Sequence, residues 1–419
     1  VDGFSFLFLG LIAIVFPMVL LQESNEKNYS LGRASFLLIL QTSLYGVVCA
    51  QNLLLMVCFL VVCVLCVYFH QSIWGDENSE HTGFVYLLTS MTGVMFILCS
   101  VLLVYFSSRD HSFSFIRSIS NEYSTLKVFR MEIGFSDLAF ILFCVGFSLL
   151  IPIWPLHQWF LSLIQSSHRS LFVVFCGAVV PVFMVTFIRS LLIVFPDQIQ
   201  ESSILLLLVG GVNLVVGAML LVKQRDLKSF IVYSFLGYIG LFVLSVGSLS
   251  ELSIVGVVYY LCICGLAYSL LALFTSAFIE RVSSSAVFLN RRFGGIIQEA
   301  PFLGMVVAVS LMTLVGIPGL GGFVAQTFIL MGGYSVNPII VCVILMSLLL
   351  IIYGLFGMYK SVFFGTGEDK TSFFNQMNLI EKVCFVPFVL TIVFLGIFPQ
   401  PLLNLIQPTV SSIMAGYIH

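Results

Sequence analysis

Residues 148–189 read SLLIPIWPLHQWFLSLIQSSHRSLFVVFCGAVVPVFMVTFIR, and the rest of the chain is organised around them. This stretch begins as an apolar helix, breaks at Pro152 and Pro155, resumes through His157 and ends in a second apolar run at Arg189. A proline inside a membrane helix frees backbone groups, which persist only where protein or a water-lined cavity satisfies them again. Transporters build ion sites near the middle of the bilayer from such broken helices. The stretch is therefore typical of a transporter-like membrane fold.

Composition places the whole chain in the membrane class. Hydrophobic residues make up 60% of it and charged residues only 9%, which no soluble domain approaches. A net charge of −2 without a basic cluster argues against a nucleic-acid partner. Cys63 and Cys66, with His70 after them, have the spacing of metal ligands. They fall in an apolar segment with no second ligand pair following, so we expect small buried residues and no metal.

Hydropathy predicts an all-α polytopic membrane protein with about twelve transmembrane helices. Two of the predicted spans are interrupted, one at Pro152 and one within 316–322, where the sequence is GIPGLGG. The spans are 4–21, 34–50, 53–73, 84–106, 136–159, 170–194, 203–222, 228–248, 252–278, 301–335, 338–363 and 383–405.

The two interrupted spans predict the domain organisation. Broken helices at matching positions of two halves are typical of inverted repeats, so we expect approximate repeats at 34–194 and 203–363. The helix at 383–405 would follow them, within a single antiporter-like membrane domain covering 1–419. Of the 17 Lys and Arg residues, only five fall in the loops on one side of this topology. The positive-inside rule makes the other side the matrix or cytoplasmic one. The five are Arg109, Arg117, Lys127, Arg130 and Arg189.

Six short motifs resemble one known family, in that family's order along nearly the whole chain. Together they identify the chain as similar to the antiporter-like subunits of respiratory complex I, and to NADH dehydrogenase subunit 4 most closely. The start resembles the segment before the family's third helix, so we expect no counterpart of the family's first two helices in this sequence. The motifs are VDGFS at 1–5, IWG at 73–75, PIWPLHQW at 152–159, DLKSFIVYS at 226–234, IPGLGGFV at 317–324 and GIFPQPLLNLI at 396–406.

The resemblance implies a function and a setting. The family's parent complex transfers electrons from NADH to ubiquinone and translocates protons, using flavin and iron–sulfur clusters that other subunits hold. No haem or iron–sulfur ligand set is visible here, so we expect no cofactor, redox centre or catalytic residue in this chain. Expected partners are other membrane-arm subunits, especially the subunit 2-like and 5-like neighbours, accessory subunits, and lipids including cardiolipin. The expected location is the mitochondrial inner membrane, with a bacterial plasma membrane as the alternative.

The family moves protons through charged residues inside the membrane, and this sequence departs from that pattern. The resemblance places the family's glutamate and lysine of one repeat on Val61 and Leu150. It places the lysine and glutamate of the other repeat on Pro181 and Gln326, and a family histidine on Cys264. Valine, leucine and proline carry no titratable proton, and a glutamine amide forms hydrogen bonds without titrating. We therefore expect the chain's own proton channel to be degenerate or lost.

Several polar residues near the breaks are candidates for what remains of a proton path. His157 either lies on such a path or binds carbonyls freed by the break. Arg189 either pairs with a carboxylate or extends to the interface, and Lys228 forms an edge ion pair with Asp226 or acts in gating. The hydroxyl residues either hold water or link helices. The candidates are His157, Arg189, Lys228, Tyr233, Ser234, Tyr238 and Gln326.

The sequence as a whole predicts a complex I membrane-arm subunit with a mainly structural role. A different class of protein, a stand-alone cation/proton antiporter of related fold, is the alternative. Such a transporter needs ionisable residues inside the membrane, and those are missing at the family positions. A third possibility is an assembly or scaffold protein of the membrane. Co-migration with NADH oxidation separates the three.

Overall fold

A computed structural model describes residues 2–26, 29–107, 125–128, 131–282, 296–364 and 378–415. Ten helices in these ranges are long and apolar enough to cross a membrane. Two further crossings are built from pairs of shorter helices, which brings the total to the predicted twelve. The predicted all-α polytopic fold is confirmed. One short antiparallel hairpin, of β1 (Thr125–Val128) and β2 (Met131–Gly134), is added to it.

The helices follow the predicted order closely. They are α1 (Gly3–Ser24), α2 (Leu31–Cys49), α3 (Leu53–Trp74), α4 (Ser79–Ser107), α5 (Phe135–Leu150), α6 (Gln158–Gln165), α7 (Arg169–Val174), a π-helix (Phe175–Val179), α8 (Val180–Val194), α9 (Pro196–Glu201), α10 (Ser203–Lys223), α11 (Leu227–Gly247), α12 (Glu251–Val282), α13 (Ile296–Glu299), α14 (Pro301–Val315), α15 (Gly321–Val336), α16 (Pro338–Phe363), α17 (Leu379–Ile397) and α18 (Gln400–Met414). We call the end of the bundle where α1 ends and α2 begins the inner end.

The first predicted break is present, and a neighbouring helix repairs it. Helix α5 ends at Leu150, and α6 begins only at Gln158. The backbone N–H of Trp154, inside the break, donates to the Asn213 side chain at 2.7 Å. Asn213, on α10 and 1% exposed, donates in turn to the Leu236 carbonyl of α11 at 2.8 Å. One amide therefore joins the broken crossing to two helices of the other half.

The second predicted break is made by glycine and proline. Helix α14 ends at Val315 and is capped by Gly316, whose φ of +83° lies in the left-handed region that glycine adopts most readily. Gly319 has a φ of +95°, and α15 begins at Gly321. The predicted repeats 34–194 and 203–363 each contain five crossings, of which the fourth is broken. Their relation by inverted symmetry stays a prediction.

The core lies along three central spans. The spans Arg169–Val194 and Glu251–Ile279 are fully enclosed by other helices, and Leu227–Gly247 is almost so. Close approach of α10 to α11 depends on glycine. A Cβ on Gly210, Gly217 or Gly240 would lie only 2.2–2.4 Å from a backbone nitrogen of the facing helix. Small residues of this kind let membrane helices pack backbone against backbone.

The predicted helix at 383–405 is two helices in the structure. Helix α17 ends at Ile397, and α18 begins at Gln400, after Pro399. Helix α18 buries Leu403, Ile406 and Val410 on one side, and its Thr409 hydroxyl accepts a hydrogen bond from the Gly3 N–H at 3.1 Å. Apolarity continues through Pro399, so hydropathy alone could not reveal that the chain turns there to pack against the start of α1.

The bridging role of Asn213 yields a prediction. Replacing Asn213 with alanine leaves the buried N–H of Trp154 without its partner, and an unsatisfied buried donor costs about 1–3 kcal/mol. We expect the Asn213→Ala protein in detergent micelles to unfold at a lower temperature than the unmodified chain. Asn404→Ala, on the exposed side of α18, is the control and should unfold like the unmodified chain. Equal unfolding temperatures for the two variants would contradict this account of the break.

Candidate functional site

The positions on which the resemblance places the family's charges lie in the interior and hold uncharged groups. Leu150 is the last residue of α5, Pro181 is the second residue of α8, and both are fully buried. Val61 is half-buried on α3, and Cys264 is buried on α12. The interior therefore offers no charged side chain at these places.

Pro181 explains the π-helix that precedes it. Proline has no N–H to donate to the preceding turn, and its ring crowds the carbonyl four residues back. The chain widens just before it, and the Val180 N–H donates to the Phe175 carbonyl five residues earlier. Gly177, within this widened turn, packs so closely that a Cβ would lie 3.3 Å from the Gly265 carbonyl of α12. Pro181, on which the resemblance places the family's lysine, is therefore part of helix packing.

Gln326 holds the second break together. Its side-chain amide, on α15, donates to the Leu314 carbonyl of α14 at 2.8 Å. The Tyr238 hydroxyl of α11 donates to the same carbonyl at 2.7 Å. Gln326 lies directly against Gly316, where a Cβ would be 2.2 Å from its Oε1 atom. This site is built for an amide that donates, and an ionised carboxylate would have nothing to give the Leu314 carbonyl.

A neutral hydroxyl cluster extends from Tyr238. Tyr268 donates to the Ser234 hydroxyl at 3.2 Å, and both Tyr268 and Tyr260 have rings within 6.0 Å of the Tyr238 ring. The Tyr260 side chain is buried beside the Cys264 thiol and the Tyr238 hydroxyl. The structure brings together Ser234, Tyr238 and Gln326 from the predicted candidates. All three side chains can form hydrogen bonds, and none of them is charged.

His157 and Tyr233 also lie together, at the first break. The two rings are 6.0 Å apart in an edge arrangement. The His157 side chain makes no capping hydrogen bond to α6, and its Nδ1 atom is buried without a hydrogen-bond partner. The His157 ring also hydrogen-bonds to the Pro155 backbone, whose only polar group is a carbonyl, which supports the carbonyl-binding role. A role on a proton path stays a prediction.

Arg189 is engaged at the outer end and does not simply extend into the interface. Its guanidinium lies 2.9 Å from the Asp2 carboxylate, donates to the Val48 carbonyl at 2.9 Å and contacts the Ser5 hydroxyl at 3.4 Å. These contacts join α8 to the start of α1 and to the end of α2. Of the two predicted roles, pairing with a carboxylate is the one present.

Lys228 serves the end of α6. Its ammonium donates to the carbonyls of Gln165 and Ser167 at 3.0 and 3.2 Å and lies 3.8 Å from the Asp76 carboxylate. Asp226, its expected partner, instead accepts from the Ser229 N–H and hydroxyl as the N-cap of α11. Free carbonyls at a helix end attract a cation, so Lys228 fastens α11 to α6.

A buried charge cluster at the inner end was not predicted as a site. We call Glu23, Glu26, Arg33, His168 and Arg169 the inner charge cluster. The Arg33 guanidinium lies 2.6 Å from Glu23 and 2.5 Å from Glu26, and it donates to His168 Nε2 at 2.9 Å. Arg169 also pairs with Glu26. The cluster joins α1, α2 and α7, and Glu23 is only 1% exposed.

The surroundings fix the charges in this cluster. Burial, with the Arg33 guanidinium as the next cause, lowers the pKa of His168 to about 3, so its imidazole is neutral. Burial also raises the pKa of Glu26, although Arg169 attracts its carboxylate. Oxygens of Glu23 and Glu26 and a nitrogen of His168 lie within 4.8 Å of one another, as metal ligands could. The two guanidiniums already occupy those carboxylates, so the cluster is an ion-pair network.

Only a weak signal for this cluster exists in the sequence. Glu23, Glu26, Arg33 and Arg169 lie at or near helix ends, where charged residues are common in any membrane protein. Pairing between them depends on α7 returning beside α1 some 140 residues later, which no local pattern contains. Cys63, whose spacing from Cys66 and His70 resembles that of metal ligands, lies 3.0 Å from the Ser43 hydroxyl. This contact joins α2 and α3.

The role of Gln326 yields a prediction with a defined pH dependence. In Gln326→Glu, an ionised carboxylate cannot donate to the Leu314 carbonyl, so we expect a loss of about 2–4 kcal/mol in stability. A protonated carboxyl can donate, so the loss should shrink as the pH falls from 8 to 5. The measurement is thermal unfolding in detergent micelles at both pH values.

Gln224→Glu supplies the matched control. The Gln224 amide also donates to a helix carbonyl, that of Leu220, but the residue is half-exposed. We expect that variant to unfold close to the unmodified chain at either pH. A Gln326→Glu protein as stable as the unmodified chain at pH 8 would show that the amide is not required.

Comparison with known proteins gives the family. A model described as NADH:quinone oxidoreductase/Mrp antiporter, TM, matches residues 50–352. NADH-quinone oxidoreductase subunit M of Rickettsia felis is 23% identical over all of this chain and 83% of its own length. F(420)H(2) dehydrogenase subunit M of Methanosarcina mazei is 24% identical over 99% of this chain and 84% of its own.

Solved structures of the same fold agree with this assignment. A chain of respiratory complex I from Thermus thermophilus superposes with a TM-score of 0.83 at 21% identity, over 100% of this chain and 85% of its own. A chain of the Mrp complex from Dietzia sp. superposes with a TM-score of 0.85 at 14% identity, over 99% and 84%. The family model covers well over half of the residues, with both broken crossings inside it. The chain is therefore a multi-pass membrane protein of the NADH:quinone oxidoreductase/Mrp antiporter family.

Proposed function

We propose that this chain is a membrane-arm subunit of a proton-translocating NADH:quinone oxidoreductase, corresponding to subunit 4 of the mitochondrial enzyme and to subunit M of the bacterial one. Relatives with the name subunit M match it from end to end. The order of continuous and broken crossings, and the motifs around Pro152 and Pro318, support the same assignment. Electron transfer from NADH to quinone would take place in other subunits.

The proposed setting follows from that assignment. Subunit 2-like and 5-like membrane subunits, accessory subunits and phospholipids such as cardiolipin would surround the chain. NADH, flavin, iron–sulfur clusters and ubiquinone would belong to the parent complex. We propose the mitochondrial inner membrane, on the grounds of unpaired cysteines and 42 phenylalanines. The matching relatives come from bacteria and an archaeon, so the bacterial plasma membrane is the alternative that fractionation distinguishes.

We further propose that the subunit has lost the family's proton relay and mainly links its neighbours mechanically. The observation that carries this is the chemistry of Gln326, which donates to a backbone carbonyl where a relay needs a group that can lose a proton. Pro181 and Leu150 fill their positions with packing. Proton relays need ionisable groups inside the membrane. The interior sites of this chain therefore support helix packing and not proton transfer.

A stand-alone cation/proton antiporter is the second candidate. The likeness of fold to a chain of the Mrp complex favours it. Uncharged residues at the family positions weigh against it, because a free antiporter has no other subunit to carry the ions. A scaffold or assembly protein without a transport partner is the third.

Native electrophoresis separates the three. Gently solubilised membranes would be resolved, stained for NADH oxidation, and the active band analysed for peptides of this chain by mass spectrometry. We expect this chain in a very large active band. Its presence alone, or only in a small inactive band, would overturn the proposed membership and favour a free antiporter or a scaffold.

Proton yield tests the loss of the relay. With one relay missing, we expect fewer protons translocated per NADH in vesicles than in a relative whose four positions are charged, by about the share of one of its pumps. Membership in the complex and the rate of NADH oxidation would be unaffected. A yield equal to that of the fully charged relative would contradict the proposed loss.

A further inference from the structure

A notch of about 170 Å³ lies between α10, α11 and α16 at the inner end of the bundle. We call it the inner notch. The Tyr353 ring on its wall is 69% exposed, so the notch opens on the outer surface of the bundle, where a membrane's hydrocarbon would lie. Its apolar lining includes Leu221, Phe230 and Tyr353, and its polar lining consists of Gln224, Arg225 and Asp226.

Two glycines of α16 shape the inner notch. At Gly354, α16 approaches α10 closely, since a Cβ there would lie 3.1 Å from the Leu221 side chain. At Gly357, about one turn nearer the inner end, a Cβ would meet no atom within 4 Å. Small residues in membrane helices usually serve close packing. Gly357 makes no such contact with the described part of the chain, and its missing side chain leaves room in the notch.

Cations surround the end of the notch that faces the inner water. Arg225 lines the notch, and Lys223 and Lys360 lie in the last turns of α10 and α16. Lys360 is seven residues after Tyr353 and so lies on the same side of α16. All three cationic side chains are exposed, and none of them pairs with another described residue. The Asp226 carboxylate is occupied as the N-cap of α11, so the notch carries a net positive charge.

A larger groove along the same helices lacks these charges. It lies at the outer end, has a volume of about 810 Å³ and is lined mainly by apolar side chains. None of the described residues that line it is charged. We call it the outer groove. Hydrocarbon chains can fill either space, but only the inner notch has groups that distinguish one lipid headgroup from another.

We propose that the inner notch is a binding site for an anionic phospholipid of the inner leaflet. One acyl chain lies over Gly357 against Phe230 and Tyr353, and the phosphate lies near Arg225 and Lys360. Basic pockets between transmembrane helices on the cytoplasmic or matrix side bind anionic headgroups, and a guanidinium can bind a phosphate through two parallel hydrogen bonds.

The size of the notch favours a lipid over a protein partner. A helix with its side chains is about 10 Å across and does not fit into a space of this volume. An acyl chain is thinner and bends to follow the surface between α11 and α16. The site requires that the chain lies in a membrane, and it does not depend on the proposed membership in complex I.

Photolabelling locates the lipid and measures its selectivity. The purified full chain in micelles would be incubated with phosphatidylglycerol or phosphatidylcholine that carries a diazirine on one acyl chain. After irradiation and digestion, mass spectrometry would map the labelled residues. We expect phosphatidylglycerol to label residues 353–358 about fivefold more than phosphatidylcholine does, because a basic residue near an anionic headgroup contributes about this factor.

Two internal comparisons make the labelling decisive. Residues 204–216, in the outer groove, should be labelled equally by the two lipids. Inorganic phosphate, compared with sodium chloride at the same ionic strength, should not displace the label from 353–358. Equal labelling of 353–358 by the two lipids would overturn the proposal. Displacement by phosphate would show a site for the free anion and would overturn the assignment to a lipid.

Two variants with matched controls separate the headgroup from the acyl chain. Arg225→Gln should lower the preference for phosphatidylglycerol about fivefold, whereas Lys382→Gln, which removes an exposed cation at the inner end of α17, should keep it. Gly357→Leu fills the notch and should reduce labelling by both lipids. Gly10→Leu, at an equally open glycine of α1, should not. An unchanged preference in Arg225→Gln, or unchanged labelling in Gly357→Leu, would contradict the proposed site.

Discussion

A backbone group freed in the middle of a membrane helix must find a partner inside the protein, and this constraint shapes the whole molecule. The bilayer core supplies no water to satisfy it. Both broken crossings meet the constraint with a side-chain amide. Asn213 reaches the first break from the other half of the chain, and Gln326, on the second half of its own crossing, binds the Leu314 carbonyl just before the second break. An amide suits both places because it can donate and accept without carrying a charge.

The same constraint keeps the charged side chains near the helix ends. In the described interior, the family positions hold apolar or amide side chains, whereas ion pairs gather at helix ends. Arg189 joins Asp2 at the outer end, and Arg169 joins Glu26 at the inner end. Both arginines belong to the crossing that contains the π-helix, and both acids belong to the two ends of α1. The enclosed crossing is therefore held at each end by an ion pair, where partial exposure lowers the cost of desolvation.

Family membership and local chemistry give different answers about function, and both are informative. The fold, the two breaks and full-length relatives place the chain with subunits of proton-translocating complexes. At the centre of that fold, Leu150 and Pro181 are apolar and Gln326 is an amide, which is the basis for the proposed loss of the proton relay. A protein can retain such a fold because its helices still contact their neighbours when its charges are lost, since packing depends on shape and small residues rather than on titration. Its charged groups pair instead near the helix ends, as Arg33 and Glu26 do.

The sequence by itself determined the class of fold, the number of crossings and both breaks. These features depend on neighbouring residues only, so the linear sequence is enough to recognise them. They are the lengths of the apolar runs, Pro152, Pro155 and the glycines from Gly316 onward. It also showed that Val61, Leu150, Pro181 and Gln326 are uncharged. Tertiary structure alone decided what satisfies each break, where α17 turns into α18, and which charges meet. Asn213 is 59 residues from Trp154, and Arg33 is 135 residues from His168. Contacts of that range depend on how helices pack against one another, and helix packing is not encoded in hydropathy.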